Sequence, residues 1–579
     1  MATEKTSNDY REERKARLAK AAKKNTKKSF KVSSSNMNRK LKRKIQVTVS
    51  LVLVLAIAVG ICYSVGVFDR MKKIQTVSGD SYSVVEFEYY YNNIHQSVLN
   101  EAMQYENYGT GMGLMYTGYD CTKLPENQAY PYDDYKLADG SAPTWKQYFE
   151  YAAIRSLQEL HILEDLAEKD GFTVDQATLD AAYASIDELK TQLSETALQS
   201  GSAQSFGSWL RETYGRGMNE KTLKEIIKRQ TIASEYATVL AEKMADEALK
   251  DNATLEAEYN KNPDLYNCVD FRVFAISPET AELKSDATTE EKTAAETAAK
   301  EDAKKKAETM LGKITDEESF KKLAAEYATK EQKENADYSL DETTLMKYVG
   351  KEDYKSTFGE AAVNWLFNKD TKVGDKKVFA TDAGVQYVFY VVRTAYRDDA
   401  TIPVDVRHIL YAFDESAKDP EADKAAKKAA AEATLNAINK SGDKLTMFLS
   451  FCEKDSDDTG SASNGGLIEY VGRGKYVKAF EEWSLDPNRK EGDVGVIETE
   501  YGYHVMYFVK RQTAPMWKIT LSQTLASESY TKMIDEAIAS DAYKVKDPAY
   551  VTKISEKLYK KIVETYYAAL IVEETTLAA

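Results

Sequence analysis

The chain has 579 residues, too many for one hydrophobic core, and its 43% hydrophobic and 30% charged content is that of soluble domains. The net charge of −15 is uneven: residues 1–44 hold sixteen Lys/Arg against four Asp/Glu, a surplus of twelve, so residues 45–579 carry an excess of 27 negative charges. Four cysteines (Cys62, Cys121, Cys268 and Cys452) without paired spacing exclude a disulfide framework, and no Cys or His pair has the spacing of zinc ligands.

The basic tail runs directly into Ile45–Phe68, 24 residues without a charged side chain. At 1.5 Å per residue this spans about 30 Å of hydrocarbon with some tilt. Backbone groups in lipid must pair internally, so the segment is predicted to be a transmembrane helix. Lys42, Arg43 and Lys44 precede it, which puts the tail in the cytoplasm and the bulk of the chain outside. This membrane role accounts for the basic tail, and no nucleic acid is expected as a partner. A cleaved signal peptide would need a short basic region and a small-x-small site, and neither is present. A lipid-modified Cys62 would need a small residue where Ile61 stands.

Beyond the anchor, scarce proline (10 residues) among many Lys, Glu and Ala predicts long helices. Ser83 and Glu86 read as a capping box opening a helix with Phe87, Tyr91, Ile94 and Val98 at helical spacing. Residues 105–143, rich in Tyr, Gly, Pro and Asp, read as a long loop. Thr144 caps a second helix closed by Gly171. Helices over 176–199 and 219–262 follow, so residues 77–262 are expected to form an all-helical domain. His95 and His161 sit on its apolar faces and read as core residues.

The next stretch repeats itself. The alternating strand VDFRVFAI (269–276) matches VDVRHILY (404–411). Each is followed by an Ala/Lys/Glu-rich helix (288–313, 421–440), a short amphipathic helix (320–328, 445–453) and a closing strand (380–392, 498–510). Thr381 aligns with Thr499, Gly384 with Gly502, Val273 with His408 and Gln386 with His504. Two α+β domains are predicted, 267–396 and 402–513, followed by a helical segment at 515–579 expected to pack back on the helical domain. His408 and His504, on the first and last strands of the second repeat, are predicted to share one face.

The motifs RHIL (407–410), SDDTGSASNGGLIEY (456–470), GRGKYVKAFEEW (472–483) and TEYGYHV (499–505) stand in order within residues 402–513. This stretch resembles a parvulin-type peptidyl-prolyl isomerase domain. The whole layout, over residues 77–579, resembles the extracytoplasmic foldases of the PrsA and SurA kind, in which a helical chaperone domain carries one or two parvulin modules. The resemblance implies a catalytic set of His408, His504, Asp458 and Thr499 and an apolar wall of Leu467, Tyr476 and Phe480 for the proline ring. Tyr476 stands where Met is more usual, and Ile468 where Gly is. It also implies an isomerase of X–Pro bonds acting on unfolded, newly exported polypeptides. Such a reaction needs no cofactor and no metal, only a site that grips the twisted amide better than the planar one. The first repeat lacks both histidines and the Gly-rich middle, and a parvulin-like fold without isomerase activity is expected there. GTGMG at 109–113 follows no strand of a βαβ unit and is not a dinucleotide loop.

Overall fold

The computed structural model describes residues 62, 64, 66–200, 204–280, 288–414 and 416–568. The basic tail and nearly all of the expected membrane segment lie outside the described residues, and among those described no helix is long and apolar enough to cross a membrane. The chain divides into two compact units, one built from residues up to Ala233 together with those from Ala537 on, the other from Ser234–Glu536.

After a single helical turn at Val67–Arg70, the first unit forms a two-stranded ribbon, β1 (Lys73–Gln75) and β2 (Ser81–Ser83), and runs into helix α1 (Val84–Glu106). The expected capping box does not form: the Ser83 side chain makes no cap hydrogen bond. Glu86 turns inward instead, where it pairs with Arg229. A charge-assisted contact to a guanidinium outweighs a bond to one exposed amide. Helix α2 (Trp145–Asp170) is capped by Thr144 as expected, within a complete box in which Thr144 and Gln147 satisfy each other's amides, and ends at Gly171 in the left-handed region (φ 67°). The expected loop 105–143 holds two short turns of helix, Met112–Thr117 and Pro125–Asn127. Helix α3 (Gln176–Ser200) is followed by α4 (Phe206–Tyr214), absent from the sequence reading, whose Leu210 packs with Val85, Met218 and Ile226. The long helix expected over 219–262 is broken: α5 (Glu220–Lys250), whose residues from Ser234 on belong to the second unit, stops at Asp251, whose carboxylate accepts the Thr254 N–H at 3.1 Å and caps a new helix of that second unit, Asn252–Lys261.

Two polar clusters pin this unit. The Arg229 guanidinium reaches Glu86, both oxygens of Glu164 and His161 Nε2 (3.0 Å). It thereby ties α1, α2 and α5 together. From the C-terminal helix Pro548–Tyr566 the next residue, Tyr567, brings its hydroxyl to Tyr119 and to His95 Nε2 (2.8 Å), all buried. His95 and His161 are therefore packing residues. Burial lowers both imidazole pKa values to about 4, for His161 with Arg229 adding to the effect.

The second unit holds two four-stranded antiparallel sheets of identical order. In the first, β3 (Cys268–Ile276) and β6 (Gln386–Tyr396) are central, with β4 (Leu345–Gly350) and β5 (Lys376–Ala380) at the edges. Helices α6 (Thr289–Lys313) and α7 (Glu317–Tyr327) cover one face. In the second, β7 (Val404–Ala412) and β10 (Gly502–Arg511) are central, flanked by β8 (Leu467–Val471) and β9 (Val494–Thr499). Helices α8 (Pro420–Lys440) and α9 (Lys444–Asp455) cover one face, and α10 (Lys478–Leu485) packs on the other. Each expected closing strand is in fact a hairpin, β5–β6 or β9–β10, because Gly384 (φ 90°) and Gly502 (φ 148°) turn the chain back.

One device recurs in both sheets. A buried aspartate on the first strand, Asp270 or Asp405, accepts the N–H of Tyr348 or Tyr470 at 2.8 Å. Among the described residues those tyrosines are the two non-glycine residues with positive φ, 56° and 55°. A left-handed tyrosine costs about 1–2 kcal/mol, and the buried carboxylate offsets it.

Arg229→Met leaves the buried Glu86 carboxylate without its cation. The expected loss is about 2–3 kcal/mol, below the range for a fully buried pair because Arg229 is partly exposed. Urea unfolding measures this. Adding Glu86→Gln should restore much of it, and an unchanged midpoint in the single variant contradicts the account.

Candidate active site

The register of the second sheet sets the site. His408 on β7 stands opposite Met506 and His504 on β10 opposite Leu410, so the imidazoles are diagonal neighbours on one face. Their Nδ1 atoms meet at 3.0 Å, with the rings nearly parallel (24°). His408 Nε2 lies 2.8 Å from Asp458 Oδ2, and His504 Nε2 lies 2.9 Å from Thr499 Oγ1.

These three contacts define one direction of hydrogen bonding. A carboxylate can only accept, so His408 donates from Nε2 and its Nδ1 is the acceptor. His504 then donates from Nδ1, and its Nε2 accepts the Thr499 hydroxyl. Thr499 in turn accepts the Tyr501 N–H at 3.2 Å. The chain runs Thr499 to His504 to His408 to Asp458 and requires both rings neutral. Burial enforces this: it lowers the His408 pKa against the pull of Asp458, and it lowers that of His504 to about 4, with His408 adding to the effect. Burial works against the Asp458 carboxylate too, but Ser461, His408 and the Gly460 N–H together hold its pKa below the ordinary value.

Phe480 on α10 closes the site. It stands edge-on to both imidazoles, 5.6 Å from His408 and 5.9 Å from His504, and Tyr476 stacks on it at 5.2 Å. Phe480 is 3% exposed whereas Tyr476 is 39% exposed, so the pair makes a cup with one open wall. Gly466 (φ 70°) brings the loop against β7: a Cβ there would lie 2.2 Å from the His408 carbonyl oxygen.

The structure thus brings together His408, His504, Asp458, Thr499, Tyr476 and Phe480. It does not bring Leu467 with them. Leu467 pairs across from Arg407 and Ile468 from Val406, and it is Ile468 that packs in the cluster of Phe480, Trp483 and Met506. A one-residue step on a strand exchanges faces, so Ile468 occupies the wall position assigned to Leu467. Ser461 was missed. Its hydroxyl bonds Asp458 Oδ2 and lies 3.3 Å from His408 Nε2. Its place three residues after the helix-capping Asp458 was the available signal.

The first sheet corrects the alignment of the repeats. Val273 faces Phe389 as His408 faces Met506, and Ala275 faces Tyr387 as Leu410 faces His504. Tyr387, not Gln386, therefore holds the position of His504. Ala380 pairs with Gln386 around five turn residues, whereas the equivalent pair Glu498 and Tyr503 encloses only four, which shifts the sequence match by one. The aromatic pair persists: Tyr354 stacks on Phe358 at 5.4 Å, and Tyr387 meets Phe358 edge-on at 5.0 Å.

A four-stranded antiparallel sheet with two apposed histidines beneath an aromatic cup defines the parvulin class of fold and site. Residues 389–512 match the PPIC-type PPIASE domain family and are a parvulin domain of that type. The chain is 34% identical over 131 residues to the foldase protein PrsA of Geobacillus kaustophilus, covering 22% of this chain and 41% of that protein. It is 23% identical over 257 residues to foldase protein PrsA 1 of Listeria innocua, covering 41% and 76%. Chaperone SurA of Methylococcus capsulatus is 31% identical over 106 residues, covering 18% and 23%. The match thus spans less than half of the Geobacillus relative. The crystal structure of PrsA from Bacillus subtilis covers 74% of this chain and 91% of its own at 15% identity, with a TM-score of 0.19. At that score the superposition adds nothing to the assignment.

His504 should make the second module acid-sensitive. Its folded pKa of about 4 lies below the ordinary 6.5, so the unfolded chain binds the proton first. The contribution is complete above pH 6.5 and is lost as pH falls toward 4. Urea midpoints at pH 7.5 and 4.5 should diverge more in the parent than in His504→Gln; equal pH dependence contradicts the neutral network.

Proposed function

We propose that this chain is a membrane-tethered, extracytoplasmic foldase that accelerates cis–trans isomerisation of X–Pro bonds in unfolded, newly exported polypeptides. The observation that carries the reading is the neutral His408–His504 pair lying under the Tyr476–Phe480 cup. An X–Pro bond isomerises over tens to hundreds of seconds against a barrier of about 18–20 kcal/mol. No covalent intermediate is needed. The aromatic cup holds the pyrrolidine ring, and the neutral, hydrogen-bonded imidazoles form a floor without net charge. Such surroundings solvate the planar, charge-separated amide poorly relative to the twisted one, which has lost that resonance. Favouring the twisted state by about 4 kcal/mol accelerates the reaction roughly a thousandfold.

The first module has Val273 and Tyr387 where the histidines stand and is read as a client-binding or spacing module without isomerase activity. Helical residues 77–262 and the C-terminal segment 515–579 are read as the chaperone body. The uncharged segment 45–68, with its basic flank, is the anchor, and it would keep clients emerging from an export channel at high effective concentration.

Two-dimensional exchange NMR on a short X–Pro peptide tests the chemistry. The region beyond the anchor should accelerate exchange, and Phe480→Ala should lower kcat/KM by about tenfold or more, equivalent to about 1.4 kcal/mol of lost transition-state binding. No acceleration by the folded parent, whatever residue precedes proline, leaves a binding-only chaperone as the reading.

The anchor is tested separately. The full chain should resist carbonate extraction from membranes, and deletion of residues 45–68 should release it. A full chain that extracts freely sinks the tether.

A further inference from the structure

The two modules of the second unit meet at equivalent positions of their repeats. Counting from the left-handed tyrosines, Asp353 lies five residues after Tyr348 and Lys475 five after Tyr470, each directly before the cup tyrosine, Tyr354 or Tyr476. These two equivalent side chains pair with each other, Lys475 Nζ to Asp353 Oδ2 at 2.5 Å. A two-fold relation places a residue against its own equivalent, and like charges there would repel. The repeats instead carry opposite charges at this point.

Both partners are held from behind. Asp353 Oδ2 also accepts the Gly350 N–H at 2.6 Å, at the end of β4. The N–H groups of Lys475 and Tyr476 donate to Glu481 Oε1 at 2.8 and 2.9 Å, and Glu481 directly follows Phe480. Beside the pair, Gly474 (φ 80°) lies so close to the first module that a Cβ would stand 2.4 Å from the Lys347 carbonyl oxygen. The loop carrying Tyr476 is therefore gripped by its own helix on one side and by the first module on the other. Tyr476 is the half-exposed wall of the cup, and its place over Phe480 depends on this loop.

We propose that Asp353 of the first module is a positioning residue for the proline site of the second: through Lys475 it holds the loop that sets Tyr476 over Phe480. This rests on the isomerase reading above. The first module then shapes substrate binding at its neighbour while performing no chemistry itself. Loss of the grip weakens binding of the proline segment more than it slows the chemical step, because His408, His504 and Phe480 stay in place.

The test uses the full chain. Asp353→Lys should raise KM for an X–Pro peptide about two- to five-fold, the effect of losing a partly exposed ion pair, with kcat nearly unchanged. It should also speed amide exchange over residues 472–476. Combining Asp353→Lys with Lys475→Asp should restore both. Unchanged KM, even with faster exchange, overturns the proposal, as does a reversed pair that fails to rescue. If the parent shows no isomerase activity, the isomerase reading fails on its own. The positioning role is then read from the peptide Kd, where equal values in parent and Asp353→Lys overturn it.

Discussion

Two imidazoles that meet nitrogen to nitrogen at 3.0 Å can hold one hydrogen between them, not two. Protonating His408 puts hydrogens on both Nδ1 atoms and turns the contact repulsive, while protonating His504 puts one on the nitrogen that accepts the Thr499 hydroxyl. The arrangement around the pair answers that constraint. Asp458 takes the outer nitrogen of His408 and so frees its inner one to accept. Thr499 offers a hydroxyl that can donate to His504. The sheet and Phe480 remove the water that would stabilise a charged ring. Central strands β7 and β10 make this possible, since they bring together residues 96 positions apart in a register that leaves both rings on one face.

The doubled module separates what the fold requires from what the site requires. Both copies keep the strand order, the buried aspartate and the left-handed tyrosine it holds. Both also keep an aromatic pair on the face away from the long helices, Tyr354–Phe358 or Tyr476–Phe480. Only the second keeps the polar chain. In the first, Val273 and Tyr387 continue the apolar packing of Phe271, Phe358 and Phe389 across the place where the histidines stand. An unpartnered histidine there would be a buried polar group without compensation, so losing both is the consistent outcome.

The helical unit solves a different problem. Its chain ends are far apart in sequence, and it joins them with a few directed polar contacts inside aromatic packing. Tyr567 reaches His95 and Tyr119, and the Tyr82 hydroxyl donates to the Tyr543 carbonyl at 2.5 Å. Arg229 performs the same service for three helices. The His95–Tyr119–Tyr567 cluster lies against Phe149 and Trp145, where an unmade hydrogen bond is expensive.

Periodicity and local chemistry were enough to read most elements. Strand 269–276 is Cys268–Ile276, the helix read as 421–440 is Pro420–Lys440, and Thr144 caps α2 together with Gln147. The His408–His504 pairing was also legible, because the internal repeat put them on the first and last strands of one module. What failed was whatever depended on a one-residue count or a distant partner. Leu467 gave way to Ile468 and Gln386 to Tyr387, since strand faces alternate and a turn of different length shifts the register without leaving a mark in the motif. Glu86 fitted a capping box equally well on paper, and only the arrival of Arg229 from another helix decided its direction. By itself the sequence determined the repeat, the elements and the residue types of the site, which depend on neighbours in the chain. Tertiary structure alone decided which face each residue shows and which charge meets which, because those depend on groups far along the chain, 60 residues away for Leu467 and Arg407 and 143 for Glu86 and Arg229.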